Sequence, residues 1–186
     1  MVSPLIGEPL PLDLVNTSRN AAGEGGDALE DVAGLENWLL AEADRLPMVR
    51  VTPHTLDAVR ELRSHVATLI EAARSGVRPP ADALAGLNAA LRAAPSFAQL
   101  SWDDGWRLDG GRSGDPDALL VAALAEATAE FLAGPMVDAI RECAAPDCAL
   151  LFAATHPRRR WCSATVCGNR IRVARYYARH RFDRAI

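Results

Sequence analysis

Apolar side chains recur at helical spacing through much of the chain. The clearest run follows Thr52 and Pro53, residue types suited to the cap and the first position of a helix, and it stops at Gly76. Its inward-facing members are Leu56, Val59, Leu62, Val66, Leu69, Ile70 and Ala73. This spacing predicts one long amphipathic helix in the middle of the first domain.

Weaker helical patterns surround this helix, and one segment departs from them. The further helices are predicted over residues 29–46, 81–91 and 115–134. Before the last of these, side chains alternate on both sides of Asp103, Asp104 and Gly105, which is typical of a β-hairpin. The glycine-rich stretch 21–26 is predicted to be a flexible, exposed loop. The prediction for residues 1–135 is therefore a mostly helical domain with a small hairpin.

Composition indicates a globular protein whose charge is unevenly distributed. Apolar residues make up 49% of the 186 positions, and no apolar run approaches the roughly 20 residues that span a bilayer. The N-terminus lacks the pattern of a secretion signal, so we expect a cytoplasmic protein with no membrane partner. Residues 1–140 carry 10 arginines and 21 acidic residues, a net charge of −11, whereas residues 141–186 carry 10 arginines and 3 acidic residues, a net charge of +7. The basic last quarter has the charge that nucleic-acid binding requires.

All four cysteines lie in that basic quarter, as the pairs Cys143/Cys148 and Cys162/Cys167 with four residues inside each pair and thirteen between the pairs. In a reducing compartment such pairs favour metal binding over a disulfide framework, and unrelated buried thiols would not fall into matched pairs. Four thiolates complete the tetrahedron of a zinc ion and leave no open position for catalysis. We therefore predict one structural Zn²⁺ ion, with His156 between the pairs not needed as a ligand.

The zinc module, residues 136–186, is predicted to be a small hairpin followed by a basic helix. Residues 149–152 predict a strand, and the pair Gly168 and Asn169 is suited to an unusual backbone conformation beside the metal. From Arg170 onward the pattern is helical, and Arg170 itself projects on the apolar side, where we expect it to brace the zinc loop. Three arginines share a stripe about 60° wide that suits successive phosphates: Arg172, Arg175 and Arg179.

A second basic run directly precedes the third cysteine. Arg158, Arg159 and Arg160 supply three cations, and Trp161 supplies a ring that can stack on a base. These four residues, the three stripe arginines and Asn169 are the predicted nucleic-acid contacts. A merely solvated charged face is the alternative, and phosphate contacts alone would not specify a target sequence.

Residues 161–170, which contain Cys167-Gly168-Asn169-Arg170, resemble the CGNR zinc-finger family, named for that signature. The first cysteine pair, Phe152 and the arginine-rich helix fit the same pattern, although Arg172 stands where the family usually has lysine. The resemblance covers about 45 residues and implies a structural zinc site with DNA, rather than RNA, as the partner.

The N-terminal part is similar to the ABATE domain that usually precedes this finger. The matching pieces are residues 12–17, 62–63 and 87–88. Together the two resemblances cover nearly the whole chain, and they imply a stress-induced transcription regulator.

Three polar residues interrupt the first apolar stretch of the chain. Asp13, Asn16 and Thr17 must form hydrogen bonds if they are buried, and Arg63 on the long helix can bind a carboxylate. Two interpretations stay open. One is an internal brace, in which Arg63 pairs with Asp13 or Asn16 bonds to the backbone, and the other is a pocket for a small-molecule effector.

The leading prediction is a transcription regulator in which an acidic sensor domain controls a zinc-supported DNA-binding module. An enzyme is not expected, since the histidines form no catalytic spacing and no phosphate-binding glycine loop follows a strand. One alternative is a protein-interaction module whose basic finger is masked by the acidic domain of its own chain or of a second copy in a homodimer. The other is a thiol redox switch that releases zinc on oxidation.

Overall fold

The computed structural model describes residues 6–19 and 26–182, except for the side chains of residues 181 and 182. The α-helices in this part of the chain are α1 (Leu10–Asn16), α2 (Val32–Ala41), α3 (Pro53–Ser75), α4 (Ala81–Ala93), α5 (Pro116–Ala133) and α6 (Asn169–Phe182). The strands are β1 (Ser96–Trp102), β2 (Trp106–Arg112), β3 (Ile140–Glu142) and β4 (Leu151–Ala153). The fold is mainly α with two small hairpins, as predicted. The loop predicted at 21–26 lies, apart from Gly26, outside the described residues.

The long helix α3 has the ends that the sequence predicts. The Thr52 hydroxyl accepts a hydrogen bond from the backbone N–H of Thr55, and Gly76 closes the helix in the left-handed conformation with φ 64°. Helix α2 is shorter than the predicted 29–46, because Asp31 caps it by accepting from the N–H of Gly34. Helix α1 was not predicted as a helix, since seven residues are too few to show a helical period.

The main core lies between α1, α3 and α5. Leu12 and Leu14 of α1 are fully buried, and this helix contacts both α3 and α5. Val66 of α3 and Leu120 of α5 are equally buried, and Trp38 of α2 completes the core. A short helix with every residue buried gains its stability from this packing, because seven residues would not stay helical alone.

The hairpin β1–β2 stands out from the helices. Trp102 pairs with Trp106 across the ladder, next to the Asp103–Gly105 turn. Arg112 fixes the base, where its Nη1 donates to the Ala94 carbonyl (2.7 Å) and its Nη2 pairs with Glu126. Most of both strands is solvent-exposed.

Strand β4 belongs to two cores at once. Leu151 and Ala153 lie in the main core, whereas Phe152 and the preceding Leu150 pack in a second cluster with the four cysteines. Successive side chains of a strand point to opposite faces, so one strand serves both clusters. None of the helices in the described residues is long and apolar enough to cross a lipid bilayer.

Candidate metal centre and basic surface

The four cysteines converge on one point. Their sulfur atoms all lie within 4.8 Å of one another, and all four side chains are buried. The Sγ–Sγ distance is 3.9 Å between Cys148 and Cys162 and 3.6 Å between Cys162 and Cys167. Sulfurs at the corners of a tetrahedron around zinc, each about 2.3 Å from the metal, would be about 3.8 Å apart. The donor set and its spacing therefore fit a zinc ion.

Backbone hydrogen bonds hold the two cysteine pairs against each other. The N–H of Ala144 donates to the Arg160 carbonyl (2.9 Å), and the N–H of Cys162 donates to Sγ of Cys143 (3.5 Å). The first pair turns at Asp147, which adopts a left-handed φ of 63°, a conformation that Asp tolerates better than most residues. Each pair thus forms a tight turn whose two sulfurs face inward.

The second cysteine pair is shaped by a wide helical turn over Ala164–Gly168 that leads directly into α6. Ser163 caps this turn by accepting from the N–H of Val166 (3.2 Å), and its carbonyl accepts from the N–H of Gly168 (2.9 Å). The start of the basic helix is therefore fixed by the same segment that carries Cys167.

The prediction of an unusual backbone beside the metal is met at Gly168, which ends a rare π-type helical turn without a left-handed φ, but not at Asn169. Asn169 is right-handed helical, with φ −67° and ψ −46°, and Gly168 lies in the preceding helical turn. Glycine is needed here for another reason. A Cβ on Gly168 would lie 3.1 Å from Cδ1 of Trp161, so the glycine lets the indole pack against the turn.

Without a cation at the centre, the four thiols would not all ionise. Burial raises the pKa of Cys162 far above that of a free thiol and raises the pKa of Cys167 to about 11. Burial acts on Cys143 in the same direction, but the N–H groups of Cys162 and Ala145 outweigh it and lower the pKa of Cys143. Four thiolates so close together need a positive charge between them, which a divalent ion supplies.

The side chain of Asn16 joins α1 to the finger as a strand would. Its Nδ2 donates to the Leu151 carbonyl (2.9 Å), and its Oδ1 accepts from the Leu151 N–H (2.8 Å). Both bonds are buried and bridge 135 positions of sequence. The internal brace proposed for Asn16 is therefore present, and its partner is the backbone of β4.

Glu8 and Arg19 extend this junction on either side of Asn16. Glu8 accepts from the N–H of Ala153 (2.9 Å), and Arg19 donates to the Ala149 carbonyl (3.1 Å). Sequence reasoning missed both residues, because an isolated surface-type charge carries no local signal of a partner more than a hundred positions away.

Arg159 is engaged inside the protein. It pairs with Glu8, donates to the carbonyls of Ala153 (3.1 Å) and Cys162 (2.7 Å), and lies 4.6 Å from the ring centroid of Phe152. These contacts contradict the prediction that Arg159 binds nucleic acid. Its role is to tie the start of the chain to the cysteine cluster.

The other residues of the second basic run are placed differently. Arg158 and Arg160 are exposed, and the guanidinium of Arg160 lies 4.9 Å from the centroid of the Trp161 ring. Trp161 is half-buried against the cysteine cluster, so only part of its ring can meet a base. His156 is exposed, and its Nδ1 accepts from the N–H of Arg158 (3.1 Å), so it lies outside the metal cluster.

Helix α6 presents its basic stripe to solvent. Arg172, Arg175 and Arg179 are all exposed, and no acidic residue lies in the first turn of the helix. In the described part of the chain none of these three forms an ion pair. Asn169 is exposed at the N-terminal end of the same helix. The structure therefore brings one uncompensated positive surface to the side of the cysteine cluster.

Arg170 points away from this stripe. Its Nη2 donates to the carbonyl of Pro146 in the first cysteine turn (3.0 Å). Its neighbour Ile171 packs on the cysteine cluster. Helix α6 starts from the second cysteine pair, and Arg170 links it to the first pair.

The polar residues of the first domain are internally paired, but not as predicted. Arg63 donates to Asp27 (2.6 Å) and to the Thr17 hydroxyl (2.8 Å), whereas Asp13 pairs with Arg45 (2.5 Å). The predicted Arg63–Asp13 pair is therefore wrong, because α1 turns Thr17, not Asp13, toward α3. Burial raises the pKa of Asp13 to about 7, against the lowering effect of Arg45.

Comparison with known families agrees with these two parts. The ABATE family, described as "Putative stress-induced transcription regulator", matches residues 8–135, and the CGNR zinc finger matches residues 139–180. Neither description names an enzyme. No curated protein matches the chain. The ABATE match covers well over half of the sequence, so the chain belongs to the ABATE family, with a CGNR zinc finger following its helical part.

Proposed function

We propose that the protein is a DNA-binding transcription regulator whose four cysteines hold one structural zinc ion and whose helix α6 contacts phosphates. The helical part, residues 1–135, acts as the regulatory domain, and residues 136–186 form the binding module. The observation that carries this proposal is the exposed row Arg172, Arg175 and Arg179, which forms no ion pair with any described residue, on a helix anchored at the cysteine cluster.

Zinc supports the proposal as a structural element. The cluster that includes Cys167 is small, and its apolar cover is limited to a few residues such as Phe152, Trp161 and Ile171. A core of this size does not by itself hold a charged helix in one orientation, whereas a tetrahedral ion fixes four points of the chain. The ion would hold the four cysteines together and orient helix α6, and it would take no part in a reaction.

The arginine row has the dimensions of a phosphate contact. Arg172 and Arg179 are seven residues apart, about 10 Å along the helix axis. DNA carries a phosphate on each strand every 3.4 Å of its axis, so three guanidinium groups on this span can neutralise about three phosphates. Arg158 and Arg160, exposed beside the cluster, extend the same surface.

The test is a titration of zinc-loaded protein into labelled duplex DNA at several salt concentrations, followed by fluorescence anisotropy. Replacing Arg172, Arg175 and Arg179 with alanine is expected to weaken binding to any sequence. It should also reduce the slope of log K against log salt by about 2–3, since each lost phosphate contact removes about 0.9.

A matched control separates contacts from net charge. Arg50, Arg78 and Arg92 are exposed arginines of the helical part, and replacing all three with alanine changes the net charge equally. This variant is expected to keep the wild-type salt slope. Equal losses in the two variants, or a salt slope that does not change in either, would rule out the arginine row as the phosphate contact.

The masking alternative is not favoured by the contacts within one chain. The acidic domain meets the finger through α1 and β4 and through contacts of α3 and α5 with residues 137–139, whereas the stripe on α6 faces solvent. Four polar residues were proposed to line an effector pocket, and each is bonded to a partner in the protein: Asp13, Asn16, Thr17 and Arg63. Regulation by this domain would therefore act through the α1–β4 junction.

A further inference from the structure

The hairpin β1–β2 has one apolar face and one polar face. The ladder places Trp102 opposite Trp106 and Leu100 opposite Leu108, and residues opposite each other in an antiparallel pair lie on the same side. Alternate positions face the other way: there Ser101 donates to Asp109 (2.6 Å). The hairpin is therefore amphipathic, and within the described residues no helix packs over its apolar face.

The apolar face is almost entirely open to solvent. Trp102 and Trp106 are 65% and 72% exposed, and Leu100 and Leu108 are 60% and 75% exposed. The two indoles meet edge to face, with centroids 5.0 Å apart, and extend the patch to the turn. Together the four side chains expose about 500 Å² of apolar surface, as much as the largest patch on a typical monomer, and such patches mark interaction sites.

The chemistry of the patch excludes a charged partner. No charged side chain lies among these four residues, so nothing there would bind phosphate or a peptide carboxylate. In the adjoining turn Arg107 pairs with Asp103 (3.7 Å) and Asp104 adds a further negative charge, so the turn offers no net positive charge to an anionic bilayer or to nucleic acid. The partner must present an uncharged, flat apolar surface of similar size.

We propose that this surface is the same face of a second copy, so that the protein forms a two-fold dimer through its hairpins. Two such faces in contact would bury about 1,000 Å² of apolar surface, the size at which specific protein interfaces begin. The arrangement is isologous: the two-fold axis sets Leu100 and Leu108 of one hairpin against those of the other. With the hairpins antiparallel, the acidic turns lie at opposite ends and do not repel.

The stability of the hairpin itself gives a second, independent reason for a dimer. A two-stranded hairpin alone is marginally stable in water and needs a layer against its apolar face. Here the helical part of the protein contacts the hairpin at its base, through Arg112. A second hairpin packed face to face supplies the missing layer and hides both tryptophans.

The experiment is sedimentation velocity of the full-length, zinc-loaded protein over a range of concentrations, without DNA. Because DNA is absent, its outcome does not depend on the role of α6. The wild type is expected to be dimeric at about 100 µM and to dissociate on dilution. The variant Leu100→Thr/Leu108→Thr keeps strand-forming residues and is expected to raise the dimer dissociation constant at least about 100-fold.

The control is Leu40→Thr/Leu84→Thr, which removes two leucines that are 63% and 43% exposed on α2 and α4. It is expected to dimerise like the wild type. Circular dichroism shows whether the variants keep their helices. A measurement that needs no variant is hydrogen exchange, in which amides of residues 96–112 should be better protected at high than at low concentration.

Three results would overturn the proposal. The first is a wild type that stays monomeric at about 100 µM, or whose hairpin binds lipid vesicles or another protein instead. The second is a dimer that persists unchanged in the Leu100→Thr/Leu108→Thr variant. The third is exchange in residues 96–112 that does not depend on protein concentration.

Discussion

Replacing Asn16 with alanine tests how firmly the helical domain holds the finger. The substitution deletes both hydrogen bonds to Leu151 and leaves the N–H and C=O of that residue buried, since Leu151 has no exposed surface. Each lost bond is worth about 1 kcal/mol net, and each stranded buried group adds a desolvation cost of about 1–3 kcal/mol unless water reaches it. Allowing for partial relaxation, we expect a loss of about 2–4 kcal/mol.

Thermal unfolding of the zinc-loaded protein provides the measurement. In a chain of this size 1 kcal/mol corresponds to about 2–4 °C, so the Tm of Asn16→Ala should fall by about 5–15 °C. Ser18→Ala is the matched control: Ser18 is exposed, and its hydroxyl bonds only to the carbonyl of Val15 (3.0 Å), so its Tm should change by no more than about 2 °C.

A third variant tests whether Asn16 acts as a hydrogen-bond donor to the Leu151 carbonyl. Asn16→Asp replaces the donor Nδ2 with an oxygen that faces the Leu151 carbonyl, and at neutral pH it should destabilise more than alanine does. Protonation of that Asp restores a donor, so the defect should shrink as the pH falls. If Asn16→Ala cost no more than Ser18→Ala, the α1–β4 junction would not contribute to stability, and the reasoning above would be refuted.

Two further predictions concern the metal and the ion pair between the buried Arg63 and the half-buried Asp27. Cobalt added to metal-free protein should give intense thiolate charge-transfer absorption with one equivalent bound, and Cys148→Ser should weaken both the absorption and the binding; absorption unaffected by this change would mean that the metal binds elsewhere. Arg63→Met should destabilise the protein by about 1–3 kcal/mol at pH 7, because it leaves Asp27 without its cation. Burial raises the pKa of Asp27, but Arg63 outweighs burial and lowers it, so the contribution of this carboxylate is present above its unfolded pKa near 4 and is lost as the pH falls. The Tm difference between Arg63→Met and the wild type should therefore shrink toward pH 3, and a difference independent of pH would contradict this assignment.

The elements whose ends are marked by cap or turn residues could be predicted from the local sequence. Thr52 and Gly76 fix the two ends of α3, and Asp115 caps α5 by accepting from the N–H groups of residues 117 and 118. The alternation around Gly105 predicted the hairpin, and the matched cysteine spacing predicted the cluster. Each of these depends on residues close together in sequence.

The parts that could not be predicted depend on pairing between distant segments. Nothing near Arg159 shows that Glu8 will neutralise it, and nothing near Arg63 shows that its partner is Asp27 and not Asp13. Similarly, the burial of Asn16 against β4 follows from the packing of α1 between two other elements. Charge alone indicates that a residue can bind an anion, and only the fold decides whether the protein itself supplies one.

The shared strand β4 has a consequence for how the molecule unfolds. Because Leu151 faces one cluster and Phe152 the other, removal of the proposed zinc ion should loosen a strand on which the helical part also relies, and melting the helices should expose one side of the finger. With the proposed zinc bound, metal affinity and helical stability would be thermodynamically linked: a molecule that stabilises α1 should raise the affinity for zinc, and a chelator should lower the melting temperature of the helical part. A finger cut free near residue 139 would lose half of that strand's support, so its metal affinity in isolation should be weaker than in the intact chain.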